Sequence, residues 1–253
     1  MNKKNIWHYV KLYKGILAKY QILIAEKDLS NIYQLILLVF ELDDLYDLTD
    51  RVPEGNKLGK IKEAMIVLMP KENPLSLQAI EVLFQAMKDE SLLGQTPSWN
   101  QYLKVASQSI GAGMITSYLA SVMEIKSSTW FSKSIVEFNN EINCLIRIAN
   151  DYLDISVDKH REFPEKFQLK TQHFFSHKSQ FKIYLFSRYI THKISYFLYL
   201  LRFKYLKLAS DWRDYLKAIL CLESVLDWAF KVYVIDRNSC QESTTDLSVT
   251  KAY

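Results

Sequence analysis

The chain has 253 residues, and its 32 basic and 28 acidic side chains give a formal net charge of +4. So small an excess gives no reason to expect nucleic acid as a partner. Three cysteines without paired spacing argue against a disulfide framework and indicate a reduced, cytoplasmic setting. Six glycines and five prolines leave few turns for a sheet, so the composition favours an all-α fold.

The hydrophobic pattern predicts eight helices, with the five prolines in or beside their connections. They cover residues 5–26, 29–50, 56–69, 74–92, 97–125, 129–160, 168–207 and 210–236, and the pattern leaves the seventh either continuous or broken. No flexible linker divides residues 1–238, which predicts a single domain. Residues 239–253 are polar and lack periodicity, so they are predicted to form a flexible C-terminal tail.

No apolar run reaches eighteen residues, so the sequence predicts no stable membrane insertion. The nearest approach is an aromatic stretch over residues 184–205. It is interrupted by five basic or titratable residues: Arg188, His192, Lys193, Arg202 and Lys204. These residues favour a buried or amphipathic helix, with association at a membrane surface as the alternative.

Two acidic clusters about a hundred residues apart are the most informative polar feature. Asp43, Asp47 and Asp50 share one narrow stripe of the second predicted helix, because an α-helix turns about 100° per residue. One narrow stripe of the sixth predicted helix likewise carries Asn150, Asp154 and Asp158. Carboxylates grouped this way on mainly apolar helices repel one another unless cations lie between them. Ligand sets made only of oxygen suit hard ions, so the clusters predict a Mg²⁺ site.

Two glycines interrupt an otherwise helical pattern between residues 99 and 124. Gly111 and Gly113 are two of only six in the chain, and each mid-helix glycine costs about 1 kcal/mol relative to alanine. One interpretation is close packing against a neighbouring helix. The other is a helix break in which Ser107 to Gly111 turns backbone dipoles toward a ligand pocket.

Three segments resemble motifs of class I terpene synthases, particularly the bacterial and plant-type diterpene members. Asp43-Asp44-Leu45-Tyr46-Asp47 matches the DDxxD pattern of that family. The segment from Asn150 to Asp158 matches (N/D)Dxx(S/T)xxxE in its Asn-Asp start and its spacing, with Asp154 and Asp158 in place of the usual Ser or Thr and Glu. Residues 97–111 resemble the broken helix G of these enzymes.

The resemblance implies a helical bundle with a central active-site cavity and a prenyl diphosphate substrate. Three Mg²⁺ ions are then expected on six ligands: Asp43, Asp44, Asp47, Asn150, Asp154 and Asp158. The residues expected to have catalytic roles are Asp43, Arg147, Ser107 and Gly111. The expected diphosphate contacts are Arg147, Lys159, Arg161, Lys166 and Arg237, although Asn238 stands where many bacterial members have tyrosine after that last arginine. Phe40, Trp130 and Phe138 are the expected aromatic wall residues.

The resemblance to diterpene members favours a C20 substrate, either geranylgeranyl or copalyl-type diphosphate. A sesquiterpene synthase using farnesyl diphosphate is one alternative, and a prenyltransferase of the same fold is another. The Asn-Asp start at Asn150 argues against the prenyltransferase, because chain-elongating enzymes normally carry two DDxxD motifs. A catalytically silent helical scaffold is a third alternative, motivated by the altered second motif. The sequence leaves both a monomer and a homodimer open.

Overall fold

The computed structural model describes residues 3–47, 55–70, 74–93, 97–157, 178–207 and 210–236. Within these ranges the secondary structure is helical and contains no strand, so the all-α prediction is confirmed there. The helices are α1 (Lys3–Lys19), α2 (Glu26–Asp47), α3 (Gly55–Leu68), α4 (Pro74–Ser91), α5 (Trp99–Ser109), α6 (Ala112–Val122), α7 (Ser127–Trp130), α8 (Lys133–Val157), α9 (Lys178–Leu200) and α10 (Trp212–Phe230). Wider π-helical turns, Leu201–Tyr205 and Lys231–Asp236, extend α9 and α10.

Three predicted helices differ from the structure. The one predicted over residues 129–160 begins at Lys133, and the separate short helix α7 precedes it. The helix predicted over residues 97–125 is divided into α5 and α6, and the one predicted over residues 5–26 ends at Lys19. There Gln21 has a φ of 59°, and the Ile22 N–H donates to the Leu17 carbonyl at 2.9 Å, which closes the last turn. The predicted tail over residues 239–253 and the predicted helical residues 168–177 lie outside the described residues.

Helix α8 lies at the centre of the described fold, packed against α5, α9 and α10. Apolar side chains recur along it every three or four residues and are at most 4% exposed: Ile135, Phe138, Ile142, Leu145 and Ala149. Such a stripe faces the core along the whole helix, and each large apolar side chain contributes about 1.5–3 kcal/mol by leaving water. The polar residues beside the stripe are thereby held in fixed directions.

A cluster of charged and phenolic side chains joins α10 to α1 and α9. Glu223 is fully buried and lies 2.8 Å from Nε2 of His192, and it also pairs with Lys193. Lys193 lies 2.7 Å from Asp227, which accepts a hydrogen bond from Tyr20 at 2.6 Å. Burial disfavours the charged amine, but the two carboxylates outweigh it and raise the pKa of Lys193. The cluster fixes α10 in position against its neighbours.

None of the helices in the described ranges combines the length and apolar character that a membrane span requires.

Candidate functional site

A cavity of about 110 Å³ lies where α2, α4, α6, α8 and α10 meet. Most of its lining is apolar, and the polar lining includes Asp43, Arg147, Asn150 and Ser109. The apolar and aromatic lining residues are Ile36, Val39, Phe40, Met87, Ile110, Gly111, Ala112, Ile115, Ile146, Val225, Trp228, Ala229 and Tyr233. Both acidic motifs and the glycine break therefore contribute residues to one cavity.

Asp43 reaches the cavity because of its register on α2. Ile36, Phe40 and Asp43 follow one another at steps of four and three residues, which places them on one face of the helix. The adjacent Asp44 is exposed and is not among the lining residues. Asp47 ends α2, and its side chain lies outside the described part of the chain.

Asn150 enters the same cavity from α8, together with Ile146 and Arg147 one turn earlier. The next motif residue, Asp151, points into the protein and is only 4% exposed. Asp154 belongs to α8, but its side chain is outside the described part, and Asp158 lies beyond the described helix. The second motif therefore contributes one described ligand candidate to the cavity wall.

A buried network holds the guanidinium of Arg147. Its Nε–H is directed at Asp151 Oδ1, 2.8 Å away, and at the hydroxyl of Tyr102, 2.9 Å away. Tyr102 in turn donates to Asp151 at 2.8 Å, and Glu90 lies 3.4 Å from Nη2 of Arg147. Burial opposes the charge, but the pKa of Arg147 is raised well above its usual value by Asp151, Tyr102 and Glu90. The cavity wall thus carries a permanent cation.

Sequence reasoning missed three members of this network: Glu90, Asp151 and Tyr102. Glu90 follows Leu83 and Met87 at the spacing of the buried face of α4, and it is only 8% exposed. It also accepts a hydrogen bond from Ser109, which lines the cavity. Its position on the buried face could have indicated a partner for Glu90, because buried carboxylates are rarely unpaired.

The helical conformation is interrupted between α5 and α6 at Gly111. This residue has a φ of +76°, in the left-handed region that favours glycine. A Cβ added there would lie 2.8 Å from Cγ1 of Val39 on α2. The two interpretations of the glycines therefore both apply, because a helix break and a close approach of α2 coincide at this position.

The break brings only the second part of the predicted segment, including Gly111, to the cavity. Ser107 is buried beside the thiol of Cys144, whereas Ser109 and Ile110 line the cavity. The carbonyl of Gly111 accepts hydrogen bonds from the N–H groups of Met114 and Ile115, at 3.1 and 3.4 Å, and so belongs to the first turn of α6. That the backbone from Ser107 to Gly111 turns dipoles toward a ligand stays a prediction.

Replacing Gly111 by alanine is expected to destabilise the protein by about 1–3 kcal/mol, because it adds left-handed strain and a clash with Val39. The measurement is the free energy of unfolding in urea. Gly113→Ala is the matched control. Its Cβ would meet only Asn143 Nδ2 at an ordinary 3.6 Å, so we expect no loss of stability. Equal stability of both variants would contradict the assignment of strain to Gly111.

The aromatic wall differs in part from the prediction. Phe40 lines the cavity, but Trp130 and Phe138 are buried outside its lining. The ring of Phe138 packs instead on His192, with centroids 5.0 Å apart. The lining contains Trp228 and Tyr233 from the C-terminal helical segment. Trp228 and Tyr233 were not predicted from sequence, because α10 returns to α8 only through tertiary packing.

Four of the predicted diphosphate contacts, Lys159, Arg161, Lys166 and Arg237, lie outside the described residues, and they stay predictions. Among the described side chains, no group of three or more His, Cys, Asp and Glu is placed to hold a metal ion. Comparisons with models of protein families, with curated protein sequences and with solved structures gave no significant match. The cavity and its residues are therefore the features from which a function can be inferred.

Proposed function

We propose that the chain is a class I terpene synthase, which ionises a prenyl diphosphate and cyclises or rearranges the resulting carbocation. One observation carries this proposal: Asp43 and Asn150, from two motifs far apart in sequence, line the same mainly apolar cavity as Arg147. A polar end for diphosphate next to apolar walls suits a substrate that joins a charged head to a hydrocarbon chain.

The donor atoms suit magnesium. Asp43 and Asn150 offer carboxylate and amide oxygens from two helices, and the described lining contains no cysteine or histidine. Asp47, Asp154 and Asp158 are the further residues proposed to hold Mg²⁺. When bound, Mg²⁺ supplies positive charge that stabilises the departing diphosphate.

Arg147 supplies a fixed guanidinium to the cavity wall, where it contacts the leaving group in this proposal. Two carboxylates, Asp151 and Glu90, lie within 3.4 Å of it and offset its charge. The arginine alone therefore does not make the cavity positive. Binding of a diphosphate thus requires further cations, which agrees with the proposed metal ligands.

The apolar wall keeps water away from a carbocation. Phe40 and Trp228 contribute aromatic rings to the lining, and such rings attract a cation through their quadrupoles and offer no nucleophile. No general base is needed to begin the reaction, since heterolysis of the allylic carbon–oxygen bond starts it.

The cavity volume bears on the choice of substrate. At about 110 Å³ it is smaller than the roughly 300–1,000 Å³ of ordinary ligand pockets. A C20 or C15 chain therefore requires the walls to separate on binding. The resemblance of residues 97–111 to diterpene synthases favours C20 diphosphates, with farnesyl diphosphate as the alternative. The small cavity is the observation that favours the second candidate function, a catalytically silent helical scaffold.

The test is to incubate the full chain with Mg²⁺ and separately with geranyl, farnesyl, geranylgeranyl and copalyl-type diphosphates. Released diphosphate is measured, and extracted hydrocarbons and alcohols are analysed by mass spectrometry. We expect release that stops when Mg²⁺ is chelated. A folded protein inert toward all four substrates would exclude the proposal and favour the scaffold. Longer prenyl chains formed only after addition of isopentenyl diphosphate would identify a prenyltransferase instead.

A further inference from the structure

Helix α9 is apolar on two opposite faces. Its inner face is buried through residues such as Phe181 and Leu185, which are fully inaccessible. Its outer face carries six large apolar side chains that are 38–70% exposed: Ile183, Phe186, Ile190, Ile194, Phe197 and Leu198. We call these six residues the outer stripe.

The outer stripe is continuous. Its first five members follow at steps of three and four residues, and Leu198 lies four residues after Ile194, so at about 100° per residue all six fall within roughly 120° of the helix circumference. From Ile183 to Leu198 the stripe extends about 22 Å along the axis, at 1.5 Å per residue. Exposed apolar side chains are ordinary when scattered, but a contiguous set of this size marks an interaction surface.

The charged residues of the segment that carries the stripe are all basic. Residues 178–207 contain seven lysines and arginines and no aspartate or glutamate. Two of the seven are neutralised on the inner side, because Arg188 pairs with Glu141 and Lys193 pairs with Glu223 and Asp227. Four of the others have exposed side chains: Lys182, Arg202, Lys204 and Lys207.

We propose that the outer stripe docks the protein on an anionic phospholipid surface. The helix lies in the plane of the membrane, with the apolar side chains inserted at the boundary between headgroups and acyl chains. The exposed lysines and arginine reach the lipid phosphates, and their aliphatic stems add to the apolar contact. None of the described helices crosses the bilayer in this arrangement.

Charge complementarity selects lipid over a second copy of this chain. A two-fold symmetric dimer brings the same surface of both subunits together. Both copies would then contribute exposed cations from residues 178–207, without an acidic partner in that segment. Anionic headgroups supply the missing negative charge. The surface is also separate from the proposed active site, because no residue of α9 lines the cavity.

The experiment is flotation of the full chain with vesicles of pure phosphatidylcholine, or of phosphatidylcholine with about one third phosphatidylglycerol, at low and high salt. We expect binding to the anionic vesicles that weakens with salt, and little binding to the neutral ones. Equal binding to both compositions, or no binding to either, would overturn the proposal.

Two pairs of substitutions test the residues. Ile190→Ser with Ile194→Ser is expected to weaken binding about tenfold or more, because both side chains leave the lipid boundary. Val67→Ser with Leu77→Ser on α3 and α4 is the matched control, since these residues are also exposed. A different result would assign the stripe to a second copy of the chain. In that case the unmodified chain would sediment as a dimer and would not bind vesicles, and the double substitution at Ile190 and Ile194 would convert it to a monomer.

Lys182→Glu with Lys204→Glu should also weaken vesicle binding about tenfold or more, because each basic residue near an anionic surface contributes about fivefold. Lys57→Glu with Lys60→Glu on α3 changes the net charge equally and serves as the control. Equal losses for both pairs would indicate attraction by net charge alone and would contradict the assigned surface. Circular dichroism verifies that every variant is folded, and none of these measurements depends on catalysis.

Discussion

Replacing Asp43 by alanine is expected to reduce Mg²⁺-dependent release of diphosphate by about a hundredfold or more. A loss of roughly 3 kcal/mol of transition-state stabilisation, reasonable for a metal ligand, gives a factor of that size. The thermal midpoint should hardly change, because Asp43 is an exposed side chain of α2. Asn150→Ala is expected to reduce diphosphate release by a similar factor, because Asn150 lines the same cavity from α8.

The measurements are turnover with prenyl diphosphates and Mg²⁺ binding by calorimetry. Glu41→Ala is the matched control, since Glu41 is an exposed carboxylate on α2 that does not line the cavity. It should keep both activity and Mg²⁺ binding. Full activity in Asp43→Ala would refute the metal assignment, whereas lost activity with unchanged Mg²⁺ binding would move Asp43 from metal binding to another step.

The register of each helix made part of the site predictable. Asp43 and Asn150 lie beside apolar residues that repeat every three or four positions, and the repeat determines which face of α2 or α8 meets the core. A side chain at the edge of such a stripe points toward the space between neighbouring helices. Local periodicity was therefore enough to indicate that the two motifs turn toward a shared space.

The support behind Arg147 could not be predicted in the same way. Glu90 and Tyr102 reach the guanidinium from α4 and α5, about fifty residues earlier in the chain. Only the packing of α4 and α5 near α8 brings them there, and no local pattern encodes that packing. Gly111 shows the same limit, because its left-handed backbone becomes necessary only when Val39 of α2 approaches it.

Helix α9 illustrates a further limit. Its sequence favours a buried or amphipathic helix and leaves association at a membrane surface as the alternative. In the structure the inner residues are buried and the outer stripe is exposed. Periodicity indicates which residues are apolar, but the number of neighbours packed around a helix decides which of them are covered.

Arg147→Ala is expected to impair both stability and diphosphate release. Removing the guanidinium leaves Asp151 and Glu90 buried beside one another without their cation, which should lower the free energy of unfolding by about 3–5 kcal/mol. Arg188→Ala is the control for loss of an arginine. Its partner Glu141 is partly exposed, so the change should stay within about 1 kcal/mol.

A variant that also carries Asp151→Asn and Glu90→Gln separates the two effects of Arg147→Ala. With both carboxylates neutralised, the uncompensated charge disappears, and most of the lost stability should return in urea unfolding. Diphosphate release should stay low, because no guanidinium remains in the cavity wall to meet the leaving group. If release recovers along with stability, Arg147 serves only to hold α4, α5 and α8 together, and its contact with diphosphate has to be abandoned.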